Sequence, residues 1–86
     1  MASGKENRYG GITKEKITLI LDKLKQSGAS VTGTNPWNVD VHSNGVKLQG
    51  RWNESISELQ ITVVDRNFYV PYSKVWDKIN PLISQI

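Results

Sequence analysis

The chain has 86 residues and no cysteine, which fits one domain and excludes a disulfide framework, a thiolate nucleophile and a zinc–thiolate centre. It is 37% apolar and 22% charged, with a formal net charge of +3. These are ordinary values for a folded protein, and the positive excess is too small and too scattered to argue for a polyanion partner by itself. No run approaches the ~18 consecutive apolar residues of a membrane helix. The start of the chain lacks the apolar stretch of a secretory signal. The expectation is a cytoplasmic protein with no membrane partner.

Residues 1–11 hold Gly4, Gly10 and Gly11 and show no apolar period. They read as a flexible N-terminal tail ahead of a single α+β domain spanning 12–86. Thr13 can cap a helix, with Glu15 favoured in its first turn by the helix dipole. Ile17, Ile20, Leu21 and Leu24 recur at i, i+3, i+4 and i+7, one face of an amphipathic helix. Gly28 ends it, with Lys23 and Lys25 in the last turn. Leu19 falls on the opposite side, as does Ile12 if the helix begins that early. Those two positions hint at a dimer contact.

Residues 29–36 are small and polar, with a short extended piece at Val31 and Thr32. Residues 37–42 and 46–52 alternate apolar and polar around Asn44-Gly45, the dipeptide that best suits a two-residue type I′ turn. A tight hairpin sets Ser43 opposite Val46, Val41 opposite Leu48, Val39 opposite Gly50 and Trp37 opposite Trp52. Residues 58–65 form the next strand, with Leu59, Ile61 and Val63 on one face. Residues 68–70 either continue it or form a short fourth strand. Ser73 can cap a second helix carrying Val75, Trp76, Ile79, Leu82, Ile83 and Ile86, which Pro81 should kink or restart.

The fold class is therefore α+β, in the order α-β-β-β-(β)-α. An antiparallel meander packs both helices on its apolar face and leaves the other face open. The order is similar to that of the double-stranded-RNA-binding domain, over residues 13–86. That resemblance implies the architecture and carries over no functional residue. The family's second helix opens with clustered lysines, whereas Ser73 to Lys78 holds two lysines and an aspartate. Its long loop between the first two strands is replaced here by Asn44-Gly45, too short to reach a minor groove.

The open face carries Asn38, Asp40, His42, Lys47, Gln49 and Arg51. It can be a recognition surface, or a solvated face held by cross-strand charge pairs worth roughly 0.2–1 kcal/mol each. His42 and Asp40 leave one strand on the same side, as a general base with an orienting carboxylate would. A nucleophile, an oxyanion donor and a pocket are still wanted for catalysis. One histidine and scattered carboxylates give no metal-ligand spacing, and no Gly-rich loop has nucleotide-binding spacing, so no metal, cofactor or enzymatic activity is expected. Trp37, Trp52 and Trp76 read as core. Phe68, Tyr69 and Tyr72 make an aromatic patch at the exit from the sheet.

The expected function is a small non-catalytic binding module. It would contact a protein partner, a second copy of itself being one candidate, through Lys47, Gln49, Arg51 and Tyr69. The alternative is nucleic-acid binding by the same face, with Lys47 and Arg51 on phosphate and Tyr69 stacking.

Overall fold

The computed structural model describes residues 4–85. It shows an open antiparallel sheet of five strands in the order β1-β5-β4-β3-β2, with two helices. In chain order the elements are β1 (Glu6–Tyr9), α1 (Lys14–Gln26), β2 (Ser30–Gly33), β3 (Trp37–Asp40), β4 (Lys47–Asn53), β5 (Glu58–Asp65) and α2 (Tyr72–Ser84). The α+β class and the helix–strands–helix order are as expected. The additional strand after α1 is β2, which contains Val31 and Thr32. Residues 68–70 are turn and bend, because Val70 N–H folds back to the Asn67 carbonyl at 2.9 Å.

The expected N-terminal tail contains β1, which lies beside β5 with Glu6 opposite Thr62 and Tyr9 opposite Leu59. Four residues with one aromatic ring carry no readable period. The strand is held by its backbone ladder and by tertiary contacts. The Tyr9 hydroxyl donates to Asn80 Oδ1 on α2 at 2.6 Å and accepts from Asn7 Nδ2 at 3.2 Å. Just before the strand, the Trp76 indole N–H donates to the Gly4 carbonyl at 2.6 Å.

Helix α1 begins where its cap predicts: Thr13 Oγ1 accepts from Lys16 N–H at 3.3 Å. It ends in a Schellman motif. Gly28, at φ +97°, donates to the Lys25 carbonyl, and Ala29 donates to the Leu24 carbonyl. Ala29 and Leu24 are both buried, the apolar contact that accompanies this motif. Ile12 precedes the helix and is buried, so Leu19 alone remains of the suggested dimer contact. Helix α2 has Pro71 at its N-cap position and no side-chain cap, in place of Ser73. It runs through Pro81 without restarting, since one lost bond three residues from the end is a small cost. Ile86 lies outside the described residues.

The hairpin differs by two residues from the tight register. The Asn44-Gly45 turn forms, with φ of +56° and +67° and Val46 N–H donating to the Ser43 carbonyl. Pairing then resumes at Val41 with Val46, leaving His42 and Ser43 as a bulge with His42 at φ +58°. Asp40 Oδ1 takes the His42 N–H at 3.0 Å, removing that donor from the ladder. Trp37 therefore faces Gly50, Val39 faces Leu48 and Asp40 faces Lys47. The expected Trp37–Trp52 pair does not form. A shift of two preserves the side-chain period, so the residues of 37–41 and 46–52 stay on their expected faces.

Val39, Leu48, Leu59, Ile61 and Val63 of the sheet pack against Ile17, Ile20 and Leu24 of α1 and Val75, Trp76, Ile79 and Ile83 of α2. Both helices thus cover one sheet face. Trp76 is the most deeply buried large side chain, and Trp37 and Trp52 pack half-buried at the core margin.

Candidate functional site

The face that the helices leave uncovered is a polar lattice set by strand register. One cross-strand row reads Glu6, Thr62, Gln49, Asn38 and Thr32. A second reads Arg8, Gln60 and Arg51, and a third Asp65, Lys47, Asp40 and Ser30. Lys47, Gln49 and Arg51 stand together on β4, the middle strand of the five. Arg51 lies about 13 Å from Lys47 along the strand, at ~3.3 Å per residue.

The charges on this face are unequally engaged. Arg8 pairs with Glu6 at 3.3 Å and with Glu58 at 3.8 Å. Asp40 is engaged by His42. Among the described residues, Lys47 and Arg51 have no carboxylate within 4.0 Å. The central strand therefore presents two cations outside any such ion pair, flanking an amide, with Asp40 and Asp65 as the ladder neighbours of Lys47. Tyr9, Trp37 and Trp52 all lie on the core side, so the strands place no aromatic ring on the open face.

Tyr69 is not in this row. Its loop is stitched to the tip of the β3–β4 hairpin, where Asn67 N–H donates to the Asn44 carbonyl at 2.9 Å. Asn67 Nδ2 also donates to the Tyr69 hydroxyl at 3.1 Å. Tyr69 is thus at the Lys47 end of β4, remote from Arg51. Beside it Phe68 is 93% exposed, edge-on to Tyr69 with ring centroids 5.5 Å apart. The loop that holds them out is organised by Arg66, whose Nη1 donates to the Val70 carbonyl at 2.6 Å and the Phe68 carbonyl at 3.4 Å. The guanidinium also sits 4.1 Å over the Tyr72 ring. Gly45 is required here, because a Cβ at that position would fall on the Asn67 side chain. Nothing in the sequence pattern distinguishes Arg66 from an ordinary turn cation.

At the β2 side of the face, Ser30 Oγ lies 2.7 Å from His42 Nε2, and Asp40 Oδ1 lies 3.6 Å from His42 Nδ1. Sequence reasoning reached His42 and Asp40 but missed Ser30, which joins them only because β2 pairs with β3 and sets Ser30 opposite Asp40. These residues line an open depression of about 410 Å³ with Asn38, Lys47 and Val64. A second open depression, of about 620 Å³, lies over Arg8, Arg51, Asn35 and Ile56. The cavity between helices and sheet is apolar and about 30 Å³, the share of a single water, and takes no ligand of ordinary size.

Among the described residues, no group of three or more His, Cys, Asp or Glu side chains is placed to hold a metal ion. No described helix is long and apolar enough to cross a membrane. Comparisons with protein-family models, with curated proteins and with solved structures find no match to this chain.

Proposed function

We propose that the chain is a binding module that docks an acidic protein surface on its open sheet face. The observation that carries this reading is the pair Lys47 and Arg51 on the middle strand, neither of them in an ion pair within 4.0 Å among the described residues, while Arg8 and Asp40 are engaged by neighbours. A cation pair with Gln49 between them suits carboxylates and backbone groups spaced along an extended segment. Phe68 and Tyr69, held at the Lys47 end by the Arg66 loop, supply the apolar anchor that a polar face lacks. The mixture of carboxylates with cations, and the absence of outward aromatic rings from the strands, favour a protein over a nucleic acid.

The test is capture from source-cell lysate on the immobilised chain, with and without nuclease and at two salt concentrations. A discrete protein that survives nuclease, and is lost from Lys47→Glu/Arg51→Glu and from Phe68→Ala, supports the reading. Recovery unaffected by these variants overturns the surface. Recovery of nucleic acid, with affinity falling steeply in salt, replaces the protein partner by a polyanion. Sedimentation of the purified chain tells a second copy from a foreign partner.

A further inference from the structure

The Ser30–His42–Asp40 constellation goes beyond the binding reading and does not rest on it. We propose that Ser30 is a nucleophile activated by His42, reactive toward small esters that enter the depression over β2 and β3.

Three observations support it. Ser30 Oγ and His42 Nε2 are 2.7 Å apart, within the reach that proton transfer requires. Asp40 lies on the Nδ1 side, 3.6 Å away. At that distance the two are not hydrogen-bonded, and the field of the carboxylate favours the tautomer with its proton on Nδ1, which leaves the Nε2 lone pair for the serine hydroxyl. His42 is held in this pose by a left-handed backbone at φ +58° and by its own N–H on the Asp40 carboxylate at 3.0 Å. This left-handed residue lies past the end of β3, and from there its ring reaches Ser30 Oγ on β2.

The surroundings fit an acyl group. The depression of about 410 Å³ is lined by Val64, Lys47 and Asn38 besides the three residues of the constellation. Lys47 lines the same depression, between Asp40 and Asp65 in the ladder, and its ammonium can neutralise charge on a carbonyl oxygen during attack. The chemistry balances without a co-reactant other than water. Ser30 Oγ bonds to the ester carbonyl carbon as its proton passes to His42 Nε2. The bond to the leaving alkoxide breaks, and His42 returns the proton to it. Water then cleaves the acyl-serine by the same route, regenerating Ser30 and releasing the acid.

Incubation of the full chain with p-nitrophenyl acetate at neutral pH, followed by peptide mass mapping, tests this directly. The expected result is acetyl on the peptide containing Ser30. It disappears in Ser30→Ala and slows about 100-fold in His42→Gln, the scale of a lost general base. Acetyl confined to lysines, or Ser30 labelling at an equal rate in His42→Gln, overturns the proposal. Nitrogen NMR of the wild-type imidazole gives an independent reading. The proposal requires the proton on Nδ1, with that signature changed in Asp40→Asn; a proton resident on Nε2 refutes it. Partner capture by Ser30→Ala remains intact, so loss of this chemistry and loss of the binding function are distinguishable.

Discussion

The Asn35 side chain occupies a ladder position opposite Trp52. Its Nδ2 donates to the Trp52 carbonyl at 2.9 Å, and its Oδ1 accepts the Trp52 N–H at 3.0 Å. The last paired residue of β3 is Trp37, opposite Gly50. Beyond it Pro36 has no N–H to offer, so a side-chain amide substitutes for backbone. Asn35→Ala should destabilise the fold by about 1–2 kcal/mol, from two net hydrogen bonds at an exposed site. Asn35→Asp keeps the acceptor but turns a carboxylate oxygen against the Trp52 carbonyl, and should be destabilised at least as much. Urea denaturation reads both, and an unchanged midpoint for Asn35→Ala would show that water replaces the amide without cost.

Removal of residues 1–9 separates a strand from a tail. A tail can be cut without effect. Loss of β1 uncovers the edge of β5 and leaves the buried Trp76 indole without its Gly4 acceptor. An unsatisfied buried donor alone costs about 1–3 kcal/mol. The truncated chain should therefore melt at least ~4 °C lower. Calorimetry of the two chains decides it.

Burial raises the Tyr9 hydroxyl above the ordinary tyrosine value of 10.0, and the Asn7 hydrogen bond opposes the shift in part. The folded state thus favours the neutral phenol. This contribution is complete below the unfolded value and is lost as pH rises through the raised folded value. The urea midpoint should fall on the alkaline side of about pH 10. Tyr9→Phe should flatten that fall, while losing about 1 kcal/mol at neutral pH with the Asn80 contact. An equally steep alkaline decline in Tyr9→Phe would place its origin elsewhere.

Gly50 is a buried core-face glycine on the middle strand and lines the small apolar cavity. A Cβ there would meet Leu59 Cδ1 at 3.8 Å, an ordinary contact. Gly50→Ala should stabilise the protein by about 0.5–1 kcal/mol, through lower unfolded-state entropy and partial filling of the void. A lower denaturation midpoint would mean that the Trp37 ring opposite Gly50 does not tolerate the methyl group.

Arg66→Ala should release the 67–70 turn. The Val70 amide, bonded to the Asn67 carbonyl, should then exchange hydrogen faster. Arg66→Lys should not restore protection, because an ammonium cannot span several carbonyls while lying flat on Tyr72. If protection of Val70 persists in Arg66→Ala, the turn is held by Asn67 alone.

Periodic burial made much of the fold readable. Ile17, Ile20 and Leu24 mark one face of α1, and Leu59, Ile61 and Val63 mark one face of β5, because each pattern matches a single backbone period. The hairpin was legible as to face but not register. Asn44-Gly45 specifies a turn, while the Asp40 carboxylate two residues before His42 selects a bulge that propensity does not encode. β1 was illegible because a strand paired at the edge of a finished sheet needs little apolar signal of its own. Lys47, Gln49 and Arg51 were placed together by alternation alone. Ser30 and Arg66 were not, since neither belongs to a period.

Chain-local chemistry therefore determined where α1 starts and stops, which strand residues turn inward, and that one sheet face stays wet. These depend on neighbours within a few residues, and a two-residue slip leaves them unchanged. The tertiary structure alone decided which strand lies beside which. That ordering brings Ser30 to His42 and Gly4 to Trp76, and sets Lys47 between Asp40 and Asp65. Such relations join residues from separate elements, and no local period constrains which edge of a sheet a strand adopts.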